Sequence, residues 1–144
     1  MSTSPIPLLL RQQIIAEFHG RCAYCHTPTA ITGARLVIDH IIPEAKGGLT
    51  LLENLCLACH ACNEFKGAKV KFIDVDSGEL VPLFHPRQDI WREHFSWSED
   101  GGEIVGLTPI GRATIAAFNM NHREIIEARR RWVVVGWHPP LEDL

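Results

Sequence analysis

The sequence predicts an α+β fold. Three observations predict it. Two C-x-x-C pairs enclose a long central segment, two short β-rich runs lead into a helix pattern within that segment, and hairpin signals precede two further helix patterns in the second half. A length of 144 residues suits one globular domain with a small extension, and 46% apolar residues support a real core. No apolar run approaches the ~18 residues a transmembrane helix needs. The start, "MSTSPIPLLLRQQ", lacks a basic n-region and does not read as a secretory signal, so a cytoplasmic location is expected. The formal net charge of −3 gives no overall basic field. Contact with a polyanion would have to come from local patches or a bound cation.

In order along the chain, Pro7 to Phe18 reads as a helix with Leu8, Ile14, Ile15 and Phe18 on its apolar face and Gly20 as its stop. "CAYC" forms a tight knuckle. "ARLVIDHII" from Ala34 is a strand ended by Pro43. After the "AKGG" loop, Thr50 and Glu53 have capping-box spacing, so a helical turn is expected there. "NLCL" is a second strand, and His60 to Lys66 is a short helix closed by Gly67. Next, "VKFIDVDSGELVPLF" reads as two strands about the turn Asp76-Ser77-Gly78, and "PRQDIWREHF" as a short helix with Pro86 near its start. "FSWSEDGGEIVGL" is a hairpin around Asp100-Gly101. Thr108-Pro109 starts one helix and Asn121 another. The latter places Ile125, Ile126, Arg129, Trp132 and Val133 on one face. These elements divide into residues 1–70 and an extension, 71–144, expected to pack as one compact unit.

Five cysteines in two C-x-x-C pairs with one left over make a poor disulfide framework. A C-x-x-C knuckle delivers two thiolates from one turn. Cys22, Cys25, Cys59 and Cys62 together complete the tetrahedral sulfur shell of a structural zinc. The 33 residues between Cys25 and Cys59 exceed the usual zinc-ribbon gap, so the clip would brace a segment that does something else. The alternative is a set of buried or redox cysteines. Cys56 permits a slipped pairing, but it falls in the second strand and is assigned as a small apolar residue. His26 and His60 flank the knuckles as alternate ligands.

Inside the enclosed segment, Asp39 and His40 are adjacent near a strand end. Neighbours on a strand point to opposite faces, so they serve one site only if the strand bends or stops there. Asn63 follows Cys62 on the helix. Carboxylate and amide oxygens suit Mg²⁺ or Mn²⁺, and a histidine titrates near neutrality and can take a proton from water. The set suits metal-assisted hydrolysis of a phosphodiester. Taken singly, each residue has an ordinary structural reading: a local cap, a satisfied histidine, a turn or a helix-surface amide.

The run "DHIIPEAKGG…ENLCLACHACNEFKG" resembles the HNH endonuclease motif, built as a ββα-metal finger, over Arg21 to Lys69. The resemblance implies that His40 is the general base and Asp39 the preceding metal ligand. It further implies that Asn54 is the central Asn that braces the loop and orients the histidine. Asn63 falls at the third motif position, where the family often has His, giving an H-N-N version with an oxygen-only shell that favours Mg²⁺ or Mn²⁺. The four cysteines match members that carry a structural zinc. The second half resembles the tail attached to this core in many small bacterial proteins of the family.

The expectation is therefore a zinc-stapled ββα finger with a hairpin-and-helix extension that hydrolyses double-stranded DNA as a monomer or homodimer, without a membrane partner. Two rivals stand beside it: a non-catalytic zinc module that binds nucleic acid or protein, and a nuclease acting on RNA. Trp91, Phe95, Trp97 and Trp132 are assigned to the core, with base stacking as the alternative. Arg112, Arg123 and Arg129 to Arg131 would contact phosphate or form a solvated helix face with Glu124 and Glu127. Lys66 would contact phosphate or sit at a solvated helix end.

Overall fold

Helix α1 (Leu8–Glu17) opens the fold of residues 5–144, the part described by the computed structural model. Its apolar stripe is narrower than the sequence suggests. Ile14 is fully buried against Leu36, Leu55 and Leu57, with Leu10 and Phe18 flanking it, whereas Leu8 and Ile15 are exposed. The inward positions 10, 14 and 18 are spaced four apart, and Ile15 lies about 100° round the helix from Ile14. Gly20, at φ 65°, lets the chain turn off the helix, donating to the Ile15 carbonyl at 2.9 Å.

After the first knuckle and a single turn, α2 (Thr29–Thr32), strand β1 (Val37–His40) pairs antiparallel with β2 (Leu55–Ala58). Residues 34–36, expected in the strand, precede it. Asp39 faces Cys56 across the ladder, and His40 faces Leu55. All four residues of β2 are buried, which suits the bottom of a small core. The helix after it, α3 (His60–Lys66), ends at Gly67, at φ 53°, where the sequence placed it.

Three corrections arise here and further along, each from a polar side chain with a better partner. Thr50 caps no helix: the turn at Leu52–Asn54 is 3₁₀ without a side-chain cap, and the threonine hydroxyl bonds His40 instead. The expected helix over residues 86–95 shrinks to α4 (Trp91–His94). The His85 ring accepts from the backbone N–H groups of Arg87 and Gln88, holding that stretch as a turn. Asn121 does not start the last helix. Its amide pairs with both backbone groups of Ile104, and His122 caps α6 (Arg123–Val134) by accepting from the Ile125 N–H.

The described residues form two compact units. One runs up to Val70 and takes in His85–Gln88; the other holds Lys71–Phe84 and Asp89–Leu144. Arg87 explains why the short segment belongs to the first unit. Its guanidinium donates to the Leu55 carbonyl and the Glu17 carboxylate, both at 2.7 Å, and lies over the Phe18 ring. That one side chain ties α1 to β2.

The second unit contains two hairpins, β3 (Lys71–Ile73) with β4 (Leu80–Pro82) and β5 (Phe95–Trp97) with β6 (Ile104–Gly106). Helix α5 (Pro109–Phe118), capped by Thr108, and α6 complete it. Phe84, Trp91, Phe95 and Trp97 form a chain of ring contacts with centroids 5.1–5.7 Å apart. The arginines that could have met phosphate are mostly engaged within the unit. Arg129 is buried against the Gly102 and Met120 carbonyls and the Trp97 ring, Arg112 holds Asp74, Arg130 holds Asp100, and Arg123 holds Glu127. Charge divides along the same line. Seven Lys/Arg against five Asp/Glu give the first unit +2, and seven against twelve give the second −5, which together make the chain's −3.

Candidate active site and its thiol clip

The clip forms from two knuckles on different elements. Cys22 and Cys25 follow α1, with the His26 N–H returning to the Cys22 carbonyl at 3.0 Å and His26 itself at φ 62°. The Ala23 N–H donates to the Leu57 carbonyl at 2.7 Å and docks this knuckle on β2. Cys59 caps α3, its sulfur accepting from the Cys62 N–H. The four sulfurs lie within 4.8 Å of one another, and Cys25 and Cys59 are 3.7 Å apart. A tetrahedron with Zn–S of about 2.3 Å has S···S edges of about 3.8 Å, so the quartet fits a structural zinc. The Cys22 thiol next to it, then Cys59, holds Cys25 well below the usual thiol range, while burial pushes Cys22 up. A dication would remove that competition by letting all four ionise. Cys56 stays outside the quartet: it is fully buried, points toward Tyr24, and burial raises its thiol far above the ordinary value.

The catalytic candidates sit at the end of β1, and strand alternation sends them to different surroundings. The His40 ring is 3% exposed. Its Nε2 lies 2.8 Å from Thr50 Oγ1 and 3.9 Å from a Glu44 carboxylate oxygen. Its Nδ1 is buried and has no hydrogen-bond partner among the described residues. Buried polar atoms rarely go unpartnered, and where they do a ligand or water is the usual missing partner.

Asp39 turns the other way. Its Oδ2 accepts from the Tyr24 hydroxyl at 2.7 Å, and the Lys66 ammonium stands 3.2 Å from Oδ1 and 3.1 Å from Oδ2. Lys66 also donates to the His40 carbonyl at 2.9 Å. With Lys66 only 3% exposed, neither the solvated helix end nor a free phosphate contact describes it. Burial first, and then the neighbouring Cys56 and Asp39, push the Tyr24 phenol well above its normal range, so it remains a donor.

Asn54 makes three bonds across the loop after β1: Oδ1 accepts from the Ile42 N–H, and Nδ2 donates to the Ile42 and Leu49 carbonyls at 3.0 and 2.9 Å. This closes residues 42–49 into a ring. Gly48 is needed there, because a Cβ would overlap the Ile42 carbonyl. Asn63 is half-buried on α3, and its side-chain amide makes no hydrogen bond among the described residues. It lies three residues before Lys66, on the same helix face. Oxygen donors of the right hardness for Mg²⁺ or Mn²⁺ are therefore present in Asp39 and Asn63, with the Asp39 carboxylate already compensated by Lys66.

An antiparallel hairpin, a following helix, a four-sulfur clip and an Asp-His pair at the strand end define a ββα-metal finger. Residues 22–72 match the family model described as HNH endonuclease, which bears out the resemblance for that stretch, about a third of the chain. Over 60 residues the chain is 42% identical to the CRISPR-associated endonuclease Cas9 of Corynebacterium diphtheriae, a match spanning 41% of this chain and 5% of that protein. It is 26% identical over 140 residues to the Septu protein PtuB of Bacillus mycoides, spanning 79% of this chain and 47% of that one. The chain thus spans less than half the length of either relative. No solved structure matches it significantly. Among the described residues no helix is long and apolar enough to cross a membrane.

Thr50, Glu44, Tyr24 and Lys66 are the members of this constellation that sequence reasoning assigned elsewhere or passed over. Only Lys66 carried a signal, in its i+3 relation to Asn63.

Proposed function

We propose that this chain is an HNH-type endonuclease that hydrolyses DNA phosphodiesters, with His40 as general base. The observation that carries the reading is the His40 ring itself: Nε2 is tethered to Thr50, while Nδ1 is buried without a partner. In this reading the neutral ring carries its proton on Nε2, donating to Thr50, and keeps Nδ1 as the acceptor. Nδ1 then takes a proton from a water. The water oxygen bonds to phosphorus as the P–O bond to the leaving sugar oxygen breaks, and solvent returns a proton to that oxygen. The Glu44 carboxylate lies 3.9 Å from Nε2, on the tethered side of the ring.

Asp39 and Asn63 would hold a Mg²⁺ or Mn²⁺ ion, which when bound supplies charge stabilisation to the phosphate and leaving oxygen. Asn54 fixes the loop that carries Thr50 and Glu44 toward the ring. The +2 charge of the first unit supports a polyanionic substrate there, despite the acidic total. Uncatalysed phosphodiester hydrolysis is extremely slow, so base and cation must both contribute.

The test is conversion of supercoiled plasmid to nicked or linear form by the zinc-loaded protein with Mg²⁺, Mn²⁺ or EDTA, beside a parallel single-stranded RNA. Metal-dependent cutting of the plasmid is expected. Cutting of RNA alone would move the substrate assignment, and cutting of neither would favour a non-catalytic zinc module.

A further inference from the structure

The ammonium of Lys66 stands against the carboxylate of Asp39, the group read above as a cation ligand. It lies within 3.2 Å of both carboxylate oxygens, and both side chains are almost fully enclosed. Tyr24 occupies the remaining approach to Oδ2 at 2.7 Å. An ammonium and a dication cannot share one buried carboxylate without strong repulsion. The lysine, however, can leave. Its charge rides on a flexible four-carbon stem, and α3 ends one residue later at Gly67. Asn63, one turn earlier on the same face, has an uncommitted amide that would complete an oxygen shell once the ammonium withdrew.

We propose that Lys66 is a built-in competitor for the catalytic cation, so that a divalent ion reaches Asp39 only by exchange with the lysine ammonium. This rests on the reading of Asp39 as a cation ligand. Lys66 is a positioning residue in this scheme: it holds the carboxylate aimed while the ion is away, and its bond to the His40 carbonyl holds the strand end in register. The lysine thereby sets how much divalent ion the protein needs.

The test reads binding rather than cleavage. Mn²⁺ affinity is measured by electron paramagnetic resonance on the zinc-loaded full chain for the parent, Lys66→Met, Asp39→Asn and the double variant. The parent is also acetylated with and without Mg²⁺, and labelling of Lys66 is followed by mass spectrometry against the exposed Lys69 and Lys71. Expected are at least ~tenfold tighter Mn²⁺ binding by Lys66→Met, loss of that gain in the double variant, and Lys66 labelling that is slow alone and rises several-fold with Mg²⁺. If Lys66→Met and parent bind equally, Asp39→Asn still loses the ion and Lys66 stays protected, then exchange is wrong while Asp39 remains a ligand. If Asp39→Asn binds Mn²⁺ like the parent, or no variant binds it, the ligand assignment itself falls. Should Lys66→Met lose zinc or fail to fold, the labelling of the parent decides.

Discussion

Nε2 of His40 and Oγ1 of Thr50 lie 2.8 Å apart, while Nδ1 of the same ring has no hydrogen-bond partner among the described residues. Thr50→Val removes the acceptor, keeps the shape and lets the ring rotate. Cleavage is expected to fall about 10- to 100-fold, less than loss of the general base itself would cost, with the melting temperature little changed. Thr50→Ser, which restores the hydroxyl, should recover most of the rate. Single-turnover cleavage of both variants is the check, and equal rates for Val and Ser would remove Thr50 from the mechanism.

The loop ring around Asn54 is expected to be both structural and functional. Asn54→Ala removes three solvent-exposed hydrogen bonds that close the loop, at a net cost of about 0.5–1.5 kcal/mol each. Gly48→Ala should disrupt the same loop by overlap with the Ile42 carbonyl and the Asn54 amide, without touching His40. Urea titration with zinc analysis checks both. The expected outcome is a lower midpoint and lost cleavage with one zinc retained.

Cys25→Ser or Cys59→Ser breaks the sulfur quartet. Zinc content is expected to fall below one per chain, and the first unit should unfold, because for a small site of this kind much of the binding free energy is folding free energy. Cys56→Ser, outside the quartet, should keep its zinc. Metal analysis with circular dichroism separates the two cases.

In the second unit, acid sensitivity is expected to trace to Asp74. The Arg112 guanidinium, then the Ser77 hydroxyl, hold its carboxyl far below the usual range. A depressed carboxylate contributes stability that is complete above its unfolded value and is lost as pH falls through the folded one. Stability should therefore decline below about pH 4, the unfolded value for Asp. Asp74→Asn should be less stable at pH 7 and show a shallower loss on acidification. A set of urea midpoints against pH measures this, and parallel curves for parent and variant would rule it out.

Much of this was legible in the sequence where chemistry is local. The knuckles, the Gly67 stop, the hairpin turns and the Thr108 cap are written in adjacent residues, and each forms at its expected place or within a residue or two. What was not legible is polar pairing across distance. Thr50 had capping spacing but is claimed by His40, and Asn121 by Ile104. Lys66 looked solvated because a helix end usually is, yet its stem reaches β1, and Arg87 bridges to Glu17 seventy positions away in the chain. Such partners depend on which surfaces the fold brings together, and a propensity or a cap signal carries no record of that.

The most direct test of the central claim is the single-turnover rate of plasmid cleavage in Mg²⁺ by zinc-loaded parent and His40→Ala. The expected result is a variant that binds zinc and melts like the parent but cuts at least ~100-fold more slowly, the lower bound of a general base's contribution. Cleavage by His40→Ala at the parental rate would contradict the assignment of His40 as the base.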